Sequence, residues 1–281
     1  PELVFEGQRV EAVGIPERTG ERLPDKSLAE QAVRHDYHIA GIKHRFTNGI
    51  EWRLNPTTQP GYKGAWSSQF HTQLNRMHHW VALAEAWRDT GHATYLDELR
   101  AQIADWRVKN PPPSAGGELE AFINRYRASG GGNIRDFPLH LPLDLGQRTM
   151  NLSRVFQMIR STPEVTDREL VEMMKSVGEN CRLLTQLPIT GNHFAIATAG
   201  LAAGAVTFPE FRDAPAWVEE AVTRVAVEMK KQVLPDGAQY ELTPWYHFTA
   251  LRQFANTLDM VRSGGYALPA GLAEGLAGMF D

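Results

Sequence analysis

The chain has 281 residues, of which 42% are hydrophobic and 22% are charged, an ordinary composition for a globular protein of one large or two small domains. The formal net charge of −4 is too mild to indicate nucleic-acid binding, so an anionic ligand would be met by local Arg, Lys and His side chains. No apolar run approaches the roughly 20 residues that span a bilayer, and the single cysteine, Cys181, excludes an internal disulfide.

The first part of the chain is irregular in pattern. Residues 1–66 mix Gly, Pro and polar residues with short apolar stretches, and we expect them to form an N-terminal arm that packs on a larger unit, residues 67–281. The arm is predicted to carry one helix near Ser27–His38. Only two short segments are suited to an extended conformation, Leu3–Glu6 and Ala238–Leu242, so the body of the chain is predicted to lack strands.

From Ser67 onward the apolar pattern is helical. The first helix is predicted from apolar residues that recur every three or four positions up to a C-capping glycine in Thr90-Gly91: Phe70, Leu74, Met77, Val81, Ala84 and Trp87. The same periodicity predicts further helices around 95–106 and over 145–159, 166–187, 192–206, 214–233 and 244–261.

Capping signals define several of these helix boundaries. Thr166-Asp167-Arg168-Glu169 is a capping-box sequence, Asp213 is predicted to cap the helix that follows it, and Thr243-Pro244 is typical of an N-cap followed by proline at the first helical position. Helices of this length joined by short turns form antiparallel pairs. The predicted class is therefore all-α, as a bundle, a solenoid or an (α/α) toroid, and the lack of a clean repeat disfavours the solenoid.

Two short motifs at predicted helix starts carry chemistry: Gly191-Asn192-His193 and Pro244-Trp245-Tyr246-His247. Together they supply an amide, two imidazoles and a phenol. These groups suit β-elimination at a uronic acid, in which the carboxylate must be neutralised, a base removes the C5 proton and an acid protonates the leaving oxygen at C4. No metal or organic cofactor is needed for this chemistry.

The roles follow from the chemistry of each group. The Asn192 amide can donate to a carboxylate oxygen, and the free N–H groups of a helix start would assist it. Tyr246 is the candidate for proton transfer, while His193 and His247 are candidates for the base or for substrate contact. Taken singly, Asn192 is more typical of a helix cap, Tyr246 of a half-buried aromatic residue and His247 of a hydrogen-bonded structural residue. It is their combination that favours a catalytic site.

A second polar cluster lies in the sequence Gln73 to Trp80. Asn75, Arg76 and His79 are candidate contacts to an anionic sugar, because arginine and its aromatic neighbours can share one helix face. For Arg148 a structural salt bridge is the default, and a contact to a carboxylate or sulfate is the alternative. Trp245 offers a surface for sugar stacking. The His78-His79 spacing does not match a helical zinc pair, and no H-E-x-x-H sequence occurs, so no metal site is predicted.

An ordered series of motifs resembles the N-terminal toroid of heparinase II/III-type lyases, most closely the heparinase III branch. The resemblance covers roughly residues 46–262 and depends on Gln73–Met77, Trp80, Ala86–Gly91 with Tyr95, Asp105-Trp106, Asn110-Pro111, Gly191–His193, Phe208–Phe211, Val233–Gly237, Glu241 and Tyr246-His247.

The resemblance implies an incomplete (α/α) toroid, followed in the family by a C-terminal β-sandwich that completes the cleft and that is expected to be absent from this chain. It implies that Asn192 neutralises the uronate carboxylate, that Tyr246 transfers the proton, that His193 contributes, and that Glu241 lies near the cleft with the substrate contacts named above. The implied partner is an acidic polysaccharide similar to heparan sulfate, with neither nucleic acid nor membrane as partner. A periplasmic or secreted location is also implied.

Other functions remain open from the residues alone. A lyase of the same fold could act on alginate or glucuronan. An inverting glycoside hydrolase would need two carboxyl groups about 6.5–9.5 Å apart, for which Asp236 and Glu241 are the candidates. A non-catalytic carbohydrate-binding domain is the third alternative.

Overall fold

The computed structural model describes residues 26–113, 116–130, 139, 141–188 and 191–280. Most of these residues are helical, and the predicted all-α class is confirmed. The helices are α1 (Lys26–Arg34), α2 (Gln69–Leu74), α3 (His78–Thr90), α4 (Ala93–Lys109), α5 (Gly117–Ala128), α6 (Pro142–Ile159), α7 (Asp167–Gln186), α8 (Gly191–Thr207), α9 (Ala214–Gln232), α10 (Pro244–Ser263) and α11 (Leu272–Ala277).

The long helices form two layers. An inner row consists of α3, α6, α8 and α10, in which each helix packs on the next. An outer row consists of α4, α7 and α9, and these helices pack against the inner ones. Helix α8 is rich in Ala and Gly and is buried almost all round, as expected for an element enclosed by neighbours on several sides.

Neighbouring inner helices run in the same direction. Arg76, just before α3, pairs with Asp144 in the first turn of α6, and Glu85 pairs with Arg154 further along the same two helices. Two contacts that follow the same order along both helices require α3 and α6 to be parallel. The same holds for α6 and α8, because Gly146 lies against Gly200 and, about one turn further on, Thr149 lies against Gly204. The N-terminal ends of α3, α6 and α8 therefore lie at one end of the molecule.

Residues 26–45 form a small unit beside the start of the inner row. Helix α1 packs on α3 and α4, and it is followed by an antiparallel hairpin of β1 (Asp36–Ile39) and β2 (Ile42–Arg45). Tyr37 is fully buried on the inner side of the hairpin. Within the described ranges this hairpin is the only β-sheet, and it was not predicted from the sequence.

The single helix predicted from Ser67 to Thr90 is wrong in one respect, because the chain breaks it into α2 and α3. Met77, at the N-cap of α3, has φ 63°, a left-handed conformation that an L-residue with a long side chain rarely adopts. The apolar spacing continues across the break because Leu74 and Met77 both remain buried. Periodicity alone therefore could not locate the break, which comprises Asn75–Met77.

The predicted caps differ in outcome. Thr166 and Glu169 form the capping box at the start of α7, and Thr243 accepts a hydrogen bond from the Tyr246 N–H at the start of α10, so both predictions are confirmed. Asp213 occupies the N-cap position of α9 but its side chain makes no capping hydrogen bond. Its carboxylate instead lies 3.8 Å from the guanidinium groups of Arg182 and Arg212.

The two segments predicted to be extended lie towards opposite ends of the chain. The short extended segment predicted at Ala238–Leu242 contributes only an isolated bridge between Val233 and Gln239. Leu3–Glu6 lies outside the described residues, and the division at residue 66 stays a prediction. No helix of the described ranges is both long enough and apolar enough to cross a membrane.

Candidate functional site

The candidate catalytic motifs lie at the N-terminal ends of α8 and α10. The two helices pack on each other, and their C-terminal ends meet where the Gly264 backbone lies against Val206. Counted back from this contact at 1.5 Å per residue, Asn192 lies about 21 Å along α8 and Tyr246 about 27 Å along α10. The backbones that carry the two residues are therefore at the same end of the molecule, within about one helical turn in height.

The first turn of α8 is the part of the site suited to an anion. Asn192 is the second residue of this helix, and its side chain lies outside the described part of the chain. His193 follows and is exposed. The first turn of a helix carries N–H groups without intrahelical partners and the positive end of the helix dipole, so a carboxylate is favoured there.

The first turn of α10 presents two aromatic side chains to solvent. The Thr243 cap and Pro244 fix where the helix starts, and the next two residues, Trp245 and Tyr246, are 78% and 40% exposed. An exposed phenol can exchange a proton with a bound ligand, whereas a sealed one could not. An indole with most of its surface in water offers a flat apolar face of the kind on which sugar rings stack.

His247, predicted to contact substrate, instead ties α10 to the neighbouring chain. Its Nδ1 accepts a hydrogen bond from the Gln239 N–H at 3.3 Å, and its Nε2 lies 2.9 Å from the Met279 carbonyl oxygen, to which it can only donate. These two contacts assign the ring N–H to Nε2, which faces an acceptor, and leave Nδ1 as the acceptor. Because both ring nitrogens are engaged inside the protein, we assign His247 a positioning role.

Glu241 is held in the loop that precedes α10. Its backbone N–H donates to the Gln239 side-chain oxygen at 2.9 Å, and its Oε1 lies 3.4 Å from the Gln239 amide nitrogen. Gln239 is buried and also donates to Gln232. Glu241 remains half-buried, and it lies in the chain segment that leads into the first turn of α10.

Arg76 and Asp144 join the starts of α3 and α6. Arg76 Nε donates to Asp144 Oδ1 at 2.7 Å, and the Arg76 side chain is 22% exposed whereas that of Asp144 is 2% exposed. Burial raises the pKa of the Asp144 carboxyl above its ordinary value, against the attraction of Arg76 and of Arg148. Gly146, two residues after Asp144, packs against the backbone of Ala197 in α8, which brings the pair close to the start of α8.

Asn75, predicted to contact substrate, is fully buried. Its amide nitrogen donates to the carbonyl oxygens of Trp52 and His71, both at 2.7 Å, and its side-chain oxygen accepts from the Trp106 indole at 2.9 Å. All of these partners are inside the protein. The prediction of a substrate contact is therefore corrected: Asn75 anchors the break between α2 and α3.

His79 and Arg148 are corrected for the same reason. His79 lies between the rings of Trp52 and Tyr37, and burial lowers the pKa of its imidazole to about 3, so it is neutral in the physiological range. Arg148 is fully buried, donates to the carbonyl oxygens of Asn75 and Leu139, and burial lowers its pKa to about 10. Neither side chain is accessible to a polymer.

The sequence analysis did not single out the role of Asp144. A signal was present, because Asp144, Arg148 and Asn151 are spaced by four and three residues and so lie on one face of α6. Their partners, however, are backbone and side-chain groups near residue 75, which the sequence alone does not bring to this helix. Among the described residues, no group of three or more His, Cys, Asp and Glu side chains is arranged to hold a metal ion.

Comparison with known proteins gives a consistent result. The family described as Heparinase II/III N-terminus matches residues 15–280. Heparin-sulfate lyases from Pedobacter heparinus and Bacteroides stercoris are 29% and 25% identical to the chain, over 82% and 86% of its length but only 31% and 36% of theirs. The chain thus spans about a third of the length of these curated relatives.

Solved structures support the same fold. The crystal structure of the heparan sulfate lyase from Pedobacter heparinus superposes with a TM-score of 0.72 at 24% identity, covering 95% of this chain and 38% of that one. A crystal structure of heparinase III gives a TM-score of 0.75 at 18% identity, covering 95% and 39%. The predicted helical toroid is confirmed as the fold of the described chain.

Proposed function

Because the chain belongs to the heparinase II/III N-terminus family, we propose that it is the helical part of a polysaccharide lyase that cleaves a heparan sulfate-like, uronate-containing polymer by β-elimination. The observation that carries the proposal is the parallel packing of α8 and α10, which brings the backbones of Asn192 and Tyr246 to one end of the molecule. The names of the relatives support the same class of reaction.

In the proposed mechanism Asn192 and the start of α8 act on the carboxylate of the uronate. The C5 proton is barely acidic while the neighbouring carboxylate keeps its full charge. Hydrogen bonds from the Asn192 amide and from free helix N–H groups stabilise the enolate-like charge that develops as the proton leaves. Donors fixed in advance on a helix need little rearrangement during the reaction.

Tyr246 is the proposed proton-transfer residue. As a phenolate it accepts the C5 proton, and as a phenol it protonates the leaving oxygen at C4, so the double bond forms between C4 and C5 with no net change in the enzyme. Its partial exposure is compatible with direct contact to a bound sugar. His193, exposed beside Asn192, is the proposed secondary contributor.

The relatives are about three times as long as the chain, and their remaining part is expected to contribute to the site. The family resemblance implies a C-terminal β-sandwich that closes the cleft and contributes a further histidine. We therefore propose that full activity belongs to the complete polypeptide. A location outside the cytoplasm, which the resemblance also implies, stays a prediction.

The experiment is to incubate the complete polypeptide with heparan sulfate, alginate and glucuronan and to follow the ultraviolet absorbance of the unsaturated uronide. Absorbance that grows on heparan sulfate and slowly or not at all on the other polymers is the expected result. New reducing ends without a double bond would instead indicate hydrolysis. Binding without any product would indicate a carbohydrate-binding domain.

The geometry gives the hydrolase alternative little support. Asp236 Oδ1 accepts a hydrogen bond from the Ala238 N–H, which is two residues away in the same turn. Glu241 is held by Gln239 in the same loop. Two carboxyl groups on one short loop are poorly placed to attack a sugar from opposite sides, as inversion requires.

A further inference from the structure

The break between α2 and α3 is held in a fixed shape by helix α6. The Arg148 guanidinium donates to the Asn75 carbonyl oxygen at 3.1 Å, and the Asn151 amide donates to the Arg76 carbonyl oxygen at 2.6 Å. Arg148 and Asn151 are both buried, so these bonds are protected from water. These bonds fix the segment next to Met77, whose left-handed backbone conformation is strained. Strained residues of this kind persist where the surrounding structure holds them, and they are frequent at functional sites.

The consequence of the break concerns the Arg76 side chain. In a continuous helix the direction of the Arg76 side chain would be set by the helical repeat of the residues before and after it. Here Arg76 lies in the break, and its guanidinium reaches Asp144 at the start of α6. The bond uses Nε. Among the described residues, no hydrogen-bond partner is present for its two terminal nitrogens, and the side chain is partly exposed.

We propose that Arg76 binds an oxyanion of the substrate, a carboxylate or a sulfate, and that Asp144 is the positioning residue that holds the guanidinium for this contact. The inference deepens the proposed function and rests on it. Arg76 differs from its neighbours Asn75 and His79 in accessibility, because those two residues are buried whereas the Arg76 side chain is partly exposed.

The chemistry of the guanidinium explains the arrangement. Its planar fork can bind two acceptors along different edges. With Nε committed to Asp144, the edge formed by the two terminal nitrogens is left for a second oxyanion, and the ion pair fixes the direction of that edge. Holding a long side chain in place before binding lowers the entropy lost on binding. The close packing of Gly146 on Ala197 places the start of α6, which carries Asp144, beside the start of α8, where the carboxylate is proposed to bind.

The chain offers a matched control. Glu85 and Arg154 form an ion pair between the same two helices at 2.6 Å, with 16% and 28% of their side chains exposed, but between two and three turns further from the N-terminal ends. Loss of this pair should affect the packing of α3 on α6 without affecting the candidate site.

The experiment measures kcat and KM of the complete polypeptide and of its Arg76→Lys, Asp144→Asn and Glu85→Gln variants. The substrates are heparan sulfate and the same polymer after desulfation and N-acetylation. Arg76→Lys keeps the charge and loses the fork, so KM is expected to rise on the order of 10-fold. Asp144→Asn is expected to raise KM in the same direction with kcat within about twofold, and Glu85→Gln to leave both constants unchanged.

The two substrates identify the anion. An equal rise in KM on both polymers means that Arg76 binds a carboxylate, and a rise confined to the sulfated polymer means that it binds a sulfate. Unchanged KM for Arg76→Lys on both, or an equal rise for Glu85→Gln, overturns the inference.

Calorimetric titration with a heparan sulfate oligosaccharide keeps this test separate from that of the proposed function. If no unsaturated product forms, the lyase proposal fails, yet weaker binding by Arg76→Lys than by the wild type still supports the Arg76 contact. Equal binding by the two proteins, or no binding by either, overturns it.

Discussion

Gly146 of α6 and Gly200 of α8 are in backbone contact: a Cβ atom added to Gly200 would lie 2.4 Å from the Gly146 Cα. A Cβ added to Gly146 would in turn lie 2.7 Å from the Ala197 Cα and from the Ile196 carbonyl oxygen. The two helices thus approach more closely than any side chain would allow. This approach brings Asp144 in the first turn of α6 towards His193 in the first turn of α8.

Gly200→Ala is therefore expected to destabilise the protein by roughly 2 kcal/mol or more, because backbone atoms cannot move aside as a flexible side chain can. Urea unfolding followed by circular dichroism measures the change. Gly117→Ala is the control, since a Cβ added at Gly117 meets no atom within 4 Å, and its effect should stay below about 1 kcal/mol. Similar unfolding midpoints for the two variants would show that α6 and α8 do not pack as described.

His247→Ala tests the positioning role of that imidazole. Loss of its hydrogen bonds should lower the free energy of unfolding by about 1–3 kcal/mol, because the Gln239 N–H and the Met279 carbonyl oxygen would each lose a hydrogen-bond partner in a partly buried region. His92→Ala is the control because His92 is exposed and makes no side-chain cap on α4. A smaller effect for His247 than for His92 would contradict the assignment.

The helices were predictable where local chemistry determines them. The capping box of Thr166 and Glu169 and the Thr243 cap before Pro244 use groups within three residues of each other, so the sequence contains the whole interaction. The hairpin was missed for a related reason. Its two-residue turn, Ala40-Gly41, has positive φ at both positions, yet alanine is not among the residues that signal such a turn.

The candidate site was predictable only in part. The motifs predicted Asn192 and Tyr246 at the starts of two helices, and the backbone of each lies there, while their catalytic roles stay predictions. Asn75 and Arg148 were misassigned because their partners, such as Trp106 and Leu139, come from other segments. A polar residue on a helix gives no local sign of whether such partners will bury it.

The acid sensitivity of the outer layer follows from Glu169, which pairs with Arg100 of α4 at 2.7 Å. The hydrogen bond from Arg100, assisted by Thr166, lowers the pKa of Glu169 from 4.5 to about 2. Because the folded-state pKa is depressed, the carboxylate stabilises the fold above about pH 4.5, and this contribution is lost as the pH falls towards 2. Since the pair is partly exposed and screened by water, we expect it to contribute about 1 kcal/mol.

Glu169→Gln measures this contribution, because glutamine can keep the capping box while it loses the charge. Urea unfolding should show the variant to be less stable than the wild type at pH 7, with a difference that shrinks as the pH approaches 2. Glu210→Gln is the comparison, as Glu210 is exposed and has no ion pair among the described residues. A difference between Glu169→Gln and wild type that does not vary with pH would refute the ion pair as its cause.

Tyr246→Phe in the complete polypeptide tests the centre of the proposed mechanism. The variant keeps the ring and loses only the hydroxyl group that would transfer the proton, so kcat on heparan sulfate should fall by about 10²- to 10⁴-fold while the thermal midpoint stays unchanged. Tyr240→Phe is a close control, because Tyr240 lies in the adjoining loop and is 45% exposed against 40% for Tyr246. Equal rates for the two variants would remove the phenol of Tyr246 from the reaction, and the base would then have to be sought at His193 or in the remaining part of the polypeptide.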